Sequence, residues 1–181
     1  MSERPFLFLD VDGPLNPFAA KAQRRPAGYE THRILPPSFV KRCRDLEPWR
    51  TVKPLRVWLN PAHGPLLLSL ADKFDLVWAT TWEREANEFI GPRIGLPELP
   101  VVEWFSEKNY GPEGTYFKTS EVVRYADGRP FAWVDDLIRR NDRSWVAENV
   151  SQPSLLHQVD PAIGLKPADI VTLRDWAESL L

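Results

Sequence analysis

The chain has 181 residues, a formal net charge of −2 and 43% hydrophobic residues, which suits one globular domain with a substantial core and excludes a disordered chain. Cys43 is the only cysteine, so an intrachain disulfide and a multi-cysteine zinc site are both excluded, and we expect a cytoplasmic protein. The longest uncharged stretch, residues 57–71, is broken by proline, glycine, asparagine and histidine, and the apolar run at residues 6–9 is too short for a signal peptide, so we expect no membrane partner.

Short apolar runs alternate along the chain with helical patterns. The predicted strands are at 6–9, 55–59, 75–79, 101–104, 131–134 and 155–159. The predicted helices follow the second and later strands, at 63–73, 82–90, 119–126, 137–148 and 168–181. The runs at 6–9, 75–79 and 131–134 are the clearest, because they are continuously apolar, as strands buried on both faces of a parallel sheet are. This alternation predicts an α/β fold with a doubly wound parallel sheet and helices on both faces.

Residues 17–60 interrupt the alternation and carry most of the positive charge. They hold ten lysines and arginines against three acidic residues, and several prolines. We predict one domain over residues 1–181, in which residues 17–60 form an irregular basic flap or insert. The net charge of −2 therefore hides a basic segment suited to an anionic ligand, although a solvated surface is the alternative.

Three of the predicted strands end in side chains that carry chemistry. Asp10 and Asp12 follow the first strand, Thr80 follows the strand at 75–79, and the pair Asp135 and Asp136 follows the strand at 131–134. In open α/β sheets, ligands bind beyond the carboxyl ends of the strands. Several carboxylates at one sheet edge repel one another unless a hard cation neutralises them, and ligation by oxygen alone indicates Mg²⁺.

The same residues resemble the motifs of the haloacid dehalogenase (HAD) superfamily. Residues 10–16 (DVDGPLN) resemble its first motif, DxDGxLN, and Thr80 resembles the second. Lys118 resembles the third, for which Lys108 is an alternative, and residues 134–136 (VDD) resemble the fourth. The resemblance implies a Rossmann-like fold with little or no cap.

Two further segments narrow the resemblance. Residues 55–61 (LRVWLNP) and 77–83 (VWATTWE) are similar to segments of a small HAD group related to domains of RNA-repair proteins. The resemblance to the HAD superfamily as a whole implies a phosphoric monoester hydrolase that works through an aspartyl-phosphate.

Within that resemblance, each matched residue has an implied role in phosphoryl transfer. Asp10 would attack phosphorus, and Asp12 would protonate the leaving group and later activate water. Thr80 would donate a hydrogen bond to the phosphoryl oxygens and Lys118 would neutralise them. The alternative for Lys118 is that it is a surface lysine at the start of a helix. For Thr81, the two possible roles are a helix N-cap and a contact with the phosphate.

The resemblance also implies the magnesium ligands. Asp10, the backbone carbonyl of Asp12 and Asp135 would hold Mg²⁺, and Asp136 would bind it or orient the other ligands. An Asp at position 12 favours phosphotransfer over the dehalogenase branch of the superfamily, which lacks that second aspartate.

The substrate is predicted from the spacing of the motifs and from the basic insert. The intervals between Asp12, Thr80 and Lys118 leave no room for a large cap, so the site is open to a nucleotide or a nucleic-acid terminus. A small phosphorylated metabolite is an alternative substrate, and a non-catalytic binding or regulatory module is an alternative function. Trp58, Trp78 and Trp133 fall in apolar strand patterns and are predicted core residues, which leaves other tryptophans as surface platforms for base stacking. These are Trp49, Trp82 and Trp104.

Overall fold

The computed structural model describes residues 3–104 and 111–180. In that part of the chain the strands are β1 (Phe6–Leu9), β2 (Glu30–Ile34), β3 (Leu55–Leu59), β4 (Asp75–Trp78), β5 (Phe131–Asp135) and β6 (Ser154–Gln158). The α-helices are α1 (Pro37–Leu46), α2 (His63–Leu68), α3 (Gly91–Ile94), α4 (Phe117–Ala126), α5 (Arg140–Asn149) and α6 (Pro167–Glu178). None of these helices has the length and apolar composition needed to cross a bilayer.

Four strands form one parallel sheet in the order β4-β1-β5-β6. β1 lies between β4 and β5, and its last residue, Leu9, pairs with Trp78 on one side and Val134 on the other. The carboxyl ends of these three strands therefore lie side by side. The predicted strand at 101–104 is reduced to one bridge, between Val101 and Trp78.

Helices cover both faces of this sheet, as the sequence predicts. Leu7 and Leu9 of β1 pack in one buried apolar cluster with residues of α2, α3 and α6. Phe8 points to the opposite face and packs in a second cluster with residues of α4 and α5. The alternation of side chains along a strand explains the two clusters, and it confirms the doubly wound α/β prediction.

The helix predicted at 82–90 begins later than expected. Glu83 has a φ of +50°, outside the right-handed helical region, so the continuous helix is interrupted there. The π-helical turn at Ala86–Ile90 follows and leads into α3. The loop after β4 is thereby kept irregular, and it stays at the sheet edge.

The basic insert at residues 17–60 is more regular than predicted. β2 and β3 pair as an antiparallel ribbon, separate from the main sheet, and α1 lies between them in the sequence. Proline opposes regular structure only where its missing N–H is needed, and Pro37 occupies the first turn of α1, where that N–H has no helical partner. The strand predicted at 55–59 therefore exists, but its partner is β2.

Candidate active site

The loop after β1 is a tight turn that packs on the loop after β5. The Gly13 amide donates to the carbonyl of Asn16 at 2.8 Å, and Gly13 has a φ of +93°. A Cβ at this position would lie 2.6 Å from the Cβ of Asp136. Glycine is required at position 13 for two reasons, the positive φ and the short distance to Asp136. Because glycine has no side chain, the two acidic loops can pack against each other.

Asp10, Asp135 and Asp136 form a buried cluster of carboxylates. Each offers one oxygen, and the three oxygens lie within 4.8 Å of one another. Two members also accept hydrogen bonds from backbone amides: Asp10 Oδ1 accepts from Val11 at 2.7 Å, and Asp135 Oδ1 accepts from Leu137 at 2.8 Å. Three convergent carboxylate oxygens are a donor set that suits a hard divalent cation such as Mg²⁺.

Lys118 lies inside this cluster. Its Nζ is 2.7 Å from Asp10 Oδ2 and 2.9 Å from Asp135 Oδ2, and the side chain is only 1% exposed. The same ammonium lies 5.5 Å from the centre of the Tyr116 ring and 6.0 Å from that of Trp104. The alternative of a surface lysine is therefore wrong, and Lys108 lies outside the described residues.

The pKa values reflect one cation shared among several acids. Burial raises the pKa of Asp10 well above its usual value, Lys118 opposes that shift, and the neighbouring carboxylates add to it. Burial and the charge of Asp135 raise the pKa of Asp136 to about 6. Burial alone would lower the pKa of Lys118, but Asp10 and Asp135 raise it above its ordinary value, so this side chain stays charged. The cluster holds more negative than positive charge, which again suits a bound cation.

Asp142 fixes the helix that carries Lys118, and the motif analysis missed it. Its fully buried carboxylate accepts three hydrogen bonds, from the Tyr116 amide at 2.7 Å, the Thr119 hydroxyl at 2.6 Å and the Arg139 amide at 2.7 Å. The first two donors lie at the start of α4, on either side of Lys118, and the third caps α5. An aspartate in the first turn of a helix is common at the surface, so the sequence carries no signal of this buried role.

The carboxylate of Asp12 is held apart from the cluster. Asn16 Nδ2 donates to Asp12 Oδ1 at 2.7 Å, and the indole Nε1 of Trp82 donates to Asp12 Oδ2 at 3.0 Å. The Asn16 side chain also accepts from the Trp58 amide of β3 at 3.0 Å, so the insert is tied to the same network. Trp82 is 8% exposed, and its predicted place among the surface stacking platforms is wrong.

Thr80 is buried at the end of β4, beside this network. Its Oγ1 accepts from the Trp82 amide at 3.3 Å, and its carbonyl accepts from Trp104 Nε1 at 3.0 Å. The N-cap alternative for Thr81 does not fit, because the helical turn starts at Ala86. Thr81 instead lines the neighbouring cavities.

Two cavities adjoin Asp12 and the loop after β4. The first, of about 370 Å³, lies between the basic insert and the sheet edge and includes Asp12 and Trp82 in its wall. The second, of about 460 Å³, shares Trp82 with the first and extends to Trp104. Asp12 is thus the acidic residue of the loop after β1 that reaches the first cavity, and none of the three cluster carboxylates lines either cavity. The predicted core tryptophans are buried, as expected: Trp58, Trp78 and Trp133.

The comparisons with known proteins found one family. A family model described as the HAD domain in Swiss Army Knife RNA repair proteins matches residues 6–170, a range that includes all of the site residues described above. No curated protein and no solved structure matches the chain.

Proposed function

The chain belongs to the family of HAD domains found in Swiss Army Knife RNA repair proteins, and on this premise we propose that it is a phosphatase acting on a phosphomonoester. HAD domains are generally hydrolases and typically use Mg²⁺. The observation that carries the proposal is the contact of Asp10 with Lys118 inside a buried carboxylate cluster. A nucleophile, a cation for the phosphoryl oxygens and candidate metal ligands thereby lie at one sheet edge.

The proposed reaction has two displacements at phosphorus. An oxygen of Asp10 attacks phosphorus, the bond from phosphorus to the leaving oxygen breaks, and Asp12 gives that oxygen its proton. Water then attacks the aspartyl-phosphate, Asp12 takes the proton of the water, and inorganic phosphate leaves with Asp10 restored. Splitting the hydrolysis in this way lowers each barrier, and a positioned acid–base group contributes to both steps.

Lys118 and Thr80 are suited to hold the phosphoryl group. The ammonium of Lys118 lies 2.7 Å from the nucleophile, so its charge is close to any phosphoryl group that Asp10 can attack. Thr80 ends the adjacent strand, and its hydroxyl can donate while its Oγ1 accepts from Trp82. Such fixed charges and donors stabilise a phosphoryl transition state without reorganisation.

Asp10, Asp135, Asp136 and the backbone carbonyl of Asp12 would hold Mg²⁺. When bound, this ion supplies positive charge to the phosphoryl oxygens and offsets the carboxylates around it. Its proposed site follows from the donor set, since the His, Cys, Asp and Glu side chains that converge there within residues 3–104 and 111–180 are all carboxylates.

We propose a nucleotide or a nucleic-acid terminus as the substrate. The insert carries a formal charge of +7 over residues 17–60, the family description refers to RNA repair, and the cavity between insert and sheet edge opens beside Asp12. A small phosphorylated metabolite would use the same chemistry. The complete acidic set disfavours a non-catalytic binding module, because such a buried charge cluster is costly to retain without use.

The test is a Mg²⁺-dependent assay with p-nitrophenyl phosphate and with oligonucleotides phosphorylated at the 3′ or 5′ end. Asp10→Asn should lower turnover by a factor on the order of 10³ or more and abolish labelling of the protein by a ³²P substrate. Asp127→Asn is the matched control: Asp127 is exposed and has a φ of +45°, a conformation that asparagine tolerates. Near-normal turnover by Asp10→Asn would show that the proposal is wrong.

A further inference from the structure

We propose that the cavity beside Asp12 binds a second phosphate, carried on the leaving group of the substrate. The inference rests on the proposed function, because it concerns the group that departs when phosphorus is transferred to Asp10. Asp12 and the insert residues Arg42 and Arg56 line this one cavity, whose volume is about 370 Å³. A group attached to the oxygen that Asp12 protonates therefore enters a space that holds two guanidinium groups.

Both arginines are without an acidic partner within residues 3–104 and 111–180. Neither Arg42 nor Arg56 lies within ion-pair distance of a carboxylate there, whereas other cations of the insert do have such partners. Glu85 also lines the cavity, but its oxygens are already bound by the amide of Ser38, at 2.8 Å, and by the Ser38 hydroxyl. The formal charges of the cavity lining balance, since Asp12 and Glu85 stand against the two arginines, but neither guanidinium is paired with a carboxylate of the described residues and both keep their N–H donors for a ligand. A phosphate suits guanidinium groups because it can accept two parallel hydrogen bonds from each of them.

Aromatic rings orient the two guanidinium groups. The Cζ atom of Arg56 lies 4.0 Å from the centre of the Trp58 ring, and that of Arg42 lies 5.9 Å from the centre of the Phe39 ring. A guanidinium that stacks on a ring by its face keeps its N–H edges available for an anion. Each guanidinium therefore has an aromatic neighbour that leaves its N–H edges available to an anion.

The same wall also provides apolar surface. Phe18, which is 51% exposed, contributes to the cavity along with Phe39. Aromatic side chains of this kind stack on nucleobases without sequence preference. The ligand that combines these features has a phosphomonoester, a ring and a second phosphate, as in a nucleoside 3′,5′-bisphosphate or the terminal nucleotide of a phosphorylated strand.

The experiment compares kcat/KM for four kinds of substrate in the presence of Mg²⁺. They are p-nitrophenyl phosphate, nucleoside 3′- and 5′-monophosphates, a nucleoside 3′,5′-bisphosphate, and dinucleotides phosphorylated at either end. We expect at least one substrate with a second phosphate to exceed the monophosphate with the same scissile ester by at least about tenfold, an advantage that shrinks with added salt. A preference for the dinucleotide identifies a strand as the source of the phosphate, and one for the bisphosphate identifies a small molecule.

The variants test whether the two arginines cause this preference. Arg42→Gln and Arg56→Gln should each lower the ratio of kcat/KM with the second phosphate to kcat/KM without it by at least about fivefold. Arg56→Lys should lower it less, because it keeps the charge and loses the forked donor. Arg44→Gln is the matched control, an exposed arginine on the same helix that does not line the cavity, and it should leave the ratio unchanged.

Failure of this inference is distinguishable from failure of the proposed function. If the wild type hydrolyses p-nitrophenyl phosphate but the ratio is near one, or is equal in all variants, the second phosphate site is refuted. If the wild type hydrolyses none of the esters, the proposed function is refuted, and calorimetric titration with the bisphosphate still tests the site. Binding weakened by Arg42→Gln and not by Arg44→Gln supports it, and equal binding overturns it.

Discussion

The sheet edge and the basic insert carry opposite charges, and they hold those charges in opposite ways. At the sheet edge Asp10, Lys118 and Asp135 are buried and contact one another at 2.7 and 2.9 Å. In the insert most cations are exposed, and the two ion pairs of α1 and its C-terminal loop, Lys41 with Asp45 and Arg50 with Glu47, join neighbours in sequence. One region holds buried charges in fixed contacts, and the other presents its charges to solvent.

This difference has an energetic consequence. A buried ion that loses its partner keeps the whole cost of its desolvation, whereas an exposed ion is rehydrated. Substitutions at the sheet edge should therefore lower the stability of the fold as well as activity, whereas those in the insert should alter substrate use and leave the fold intact.

Replacing Lys118 should have the largest effect. Lys118→Met removes the cation from between Asp10 and Asp135 and should lower the free energy of unfolding by about 3 to 5 kcal/mol, with activity reduced to background. Chemical denaturation with and without Mg²⁺ measures the free energy of unfolding. Because the acids then lack their cation, Mg²⁺ should stabilise the variant more than the wild type.

The matched change in the insert is Lys53→Gln, at an exposed lysine. It should change the free energy of unfolding by less than about 0.5 kcal/mol. Equal effects of Lys118→Met and Lys53→Gln would contradict the contrast between the two regions.

Asp142 should show the next largest effect. Asp142→Asn keeps the shape of the side chain, but its NH₂ group faces one of the three groups that donate hydrogen bonds to the carboxylate. We therefore expect the free energy of unfolding to fall by about 2 kcal/mol. Activity should fall too, because α4 positions Lys118. Asp45→Asn, which alters an exposed pair in the insert, should leave the denaturation curve unchanged, and a matching shift there would refute the interpretation.

The sequence predicts the sheet and most of the cluster for the same physical reason. A strand buried on both faces is continuously apolar, so β1, β4 and β5 are visible in the sequence, and the polar residues that follow them must share one edge. The placement of Asp10, Thr80 and Asp135 follows from this, and Lys118 is suggested by the third motif, whereas its contacts with Asp10 and Asp135 come from the fold alone.

Other features depend on contacts between distant segments that no local pattern encodes. β3 is as apolar as a strand of the main sheet, and only the fold shows that it pairs with β2. The bond from Trp82 to Asp12 joins residues 70 positions apart, and the burial of Asp142 depends on α4 packing beside α5. Periodicity and motif order carry no information on such pairings.

Trp82 lies at the boundary between the two regions, and a change there should alter chemistry more than stability. Trp82→Phe keeps a ring in the cavity wall but removes the N–H that holds Asp12 at 3.0 Å. We expect about a tenfold lower kcat/KM for alkyl phosphates, whose leaving oxygen needs a proton, and less than about a twofold change for p-nitrophenyl phosphate.

A series of esters with different leaving-group pKa values measures this effect as a steeper dependence of log kcat/KM on that pKa. Trp78→Phe is the control, because it removes an indole bond of similar length, 2.8 Å to Asn87 Oδ1, in the core. If Trp82→Phe slows every ester equally, Trp82 serves packing and does not position Asp12.

His63 joins the insert to the sheet edge, and its effect should be the smallest. His63 lies at the start of α2, and its Nε2 is 3.1 Å from the Leu165 carbonyl. Its ring contacts the Tyr29 ring edge to face, with 5.4 Å between the ring centres. Its Nδ1 is buried and has no hydrogen-bond partner among the described residues. The contact to a carbonyl requires Nε2 to be the donor, which the neutral ring allows with the proton on that nitrogen. Burial lowers the pKa of His63 from its ordinary value of 6.5, because a charged ring would lose its hydration at this buried position.

A lowered pKa means that the unfolded chain binds the proton at a pH where the folded chain does not. Stability from His63 is therefore complete above about pH 6.5 and is lost as the pH falls below it, by at most about 1.4 kcal/mol per pH unit. Asp10 and Asp136 have raised pKa values, and their protonation has the opposite sign, so it favours the folded chain as the pH falls.

The measurement is thus the difference in unfolding free energy between wild type and His63→Gln from pH 7.5 to 5, because the acids contribute equally to both proteins. The amide introduced by His63→Gln can donate to the Leu165 carbonyl without titrating, so the wild type should lose stability relative to the variant as the pH decreases. A difference that does not vary with pH would mean that the folded protein accepts a charged ring at His63 without cost, and it would refute the prediction.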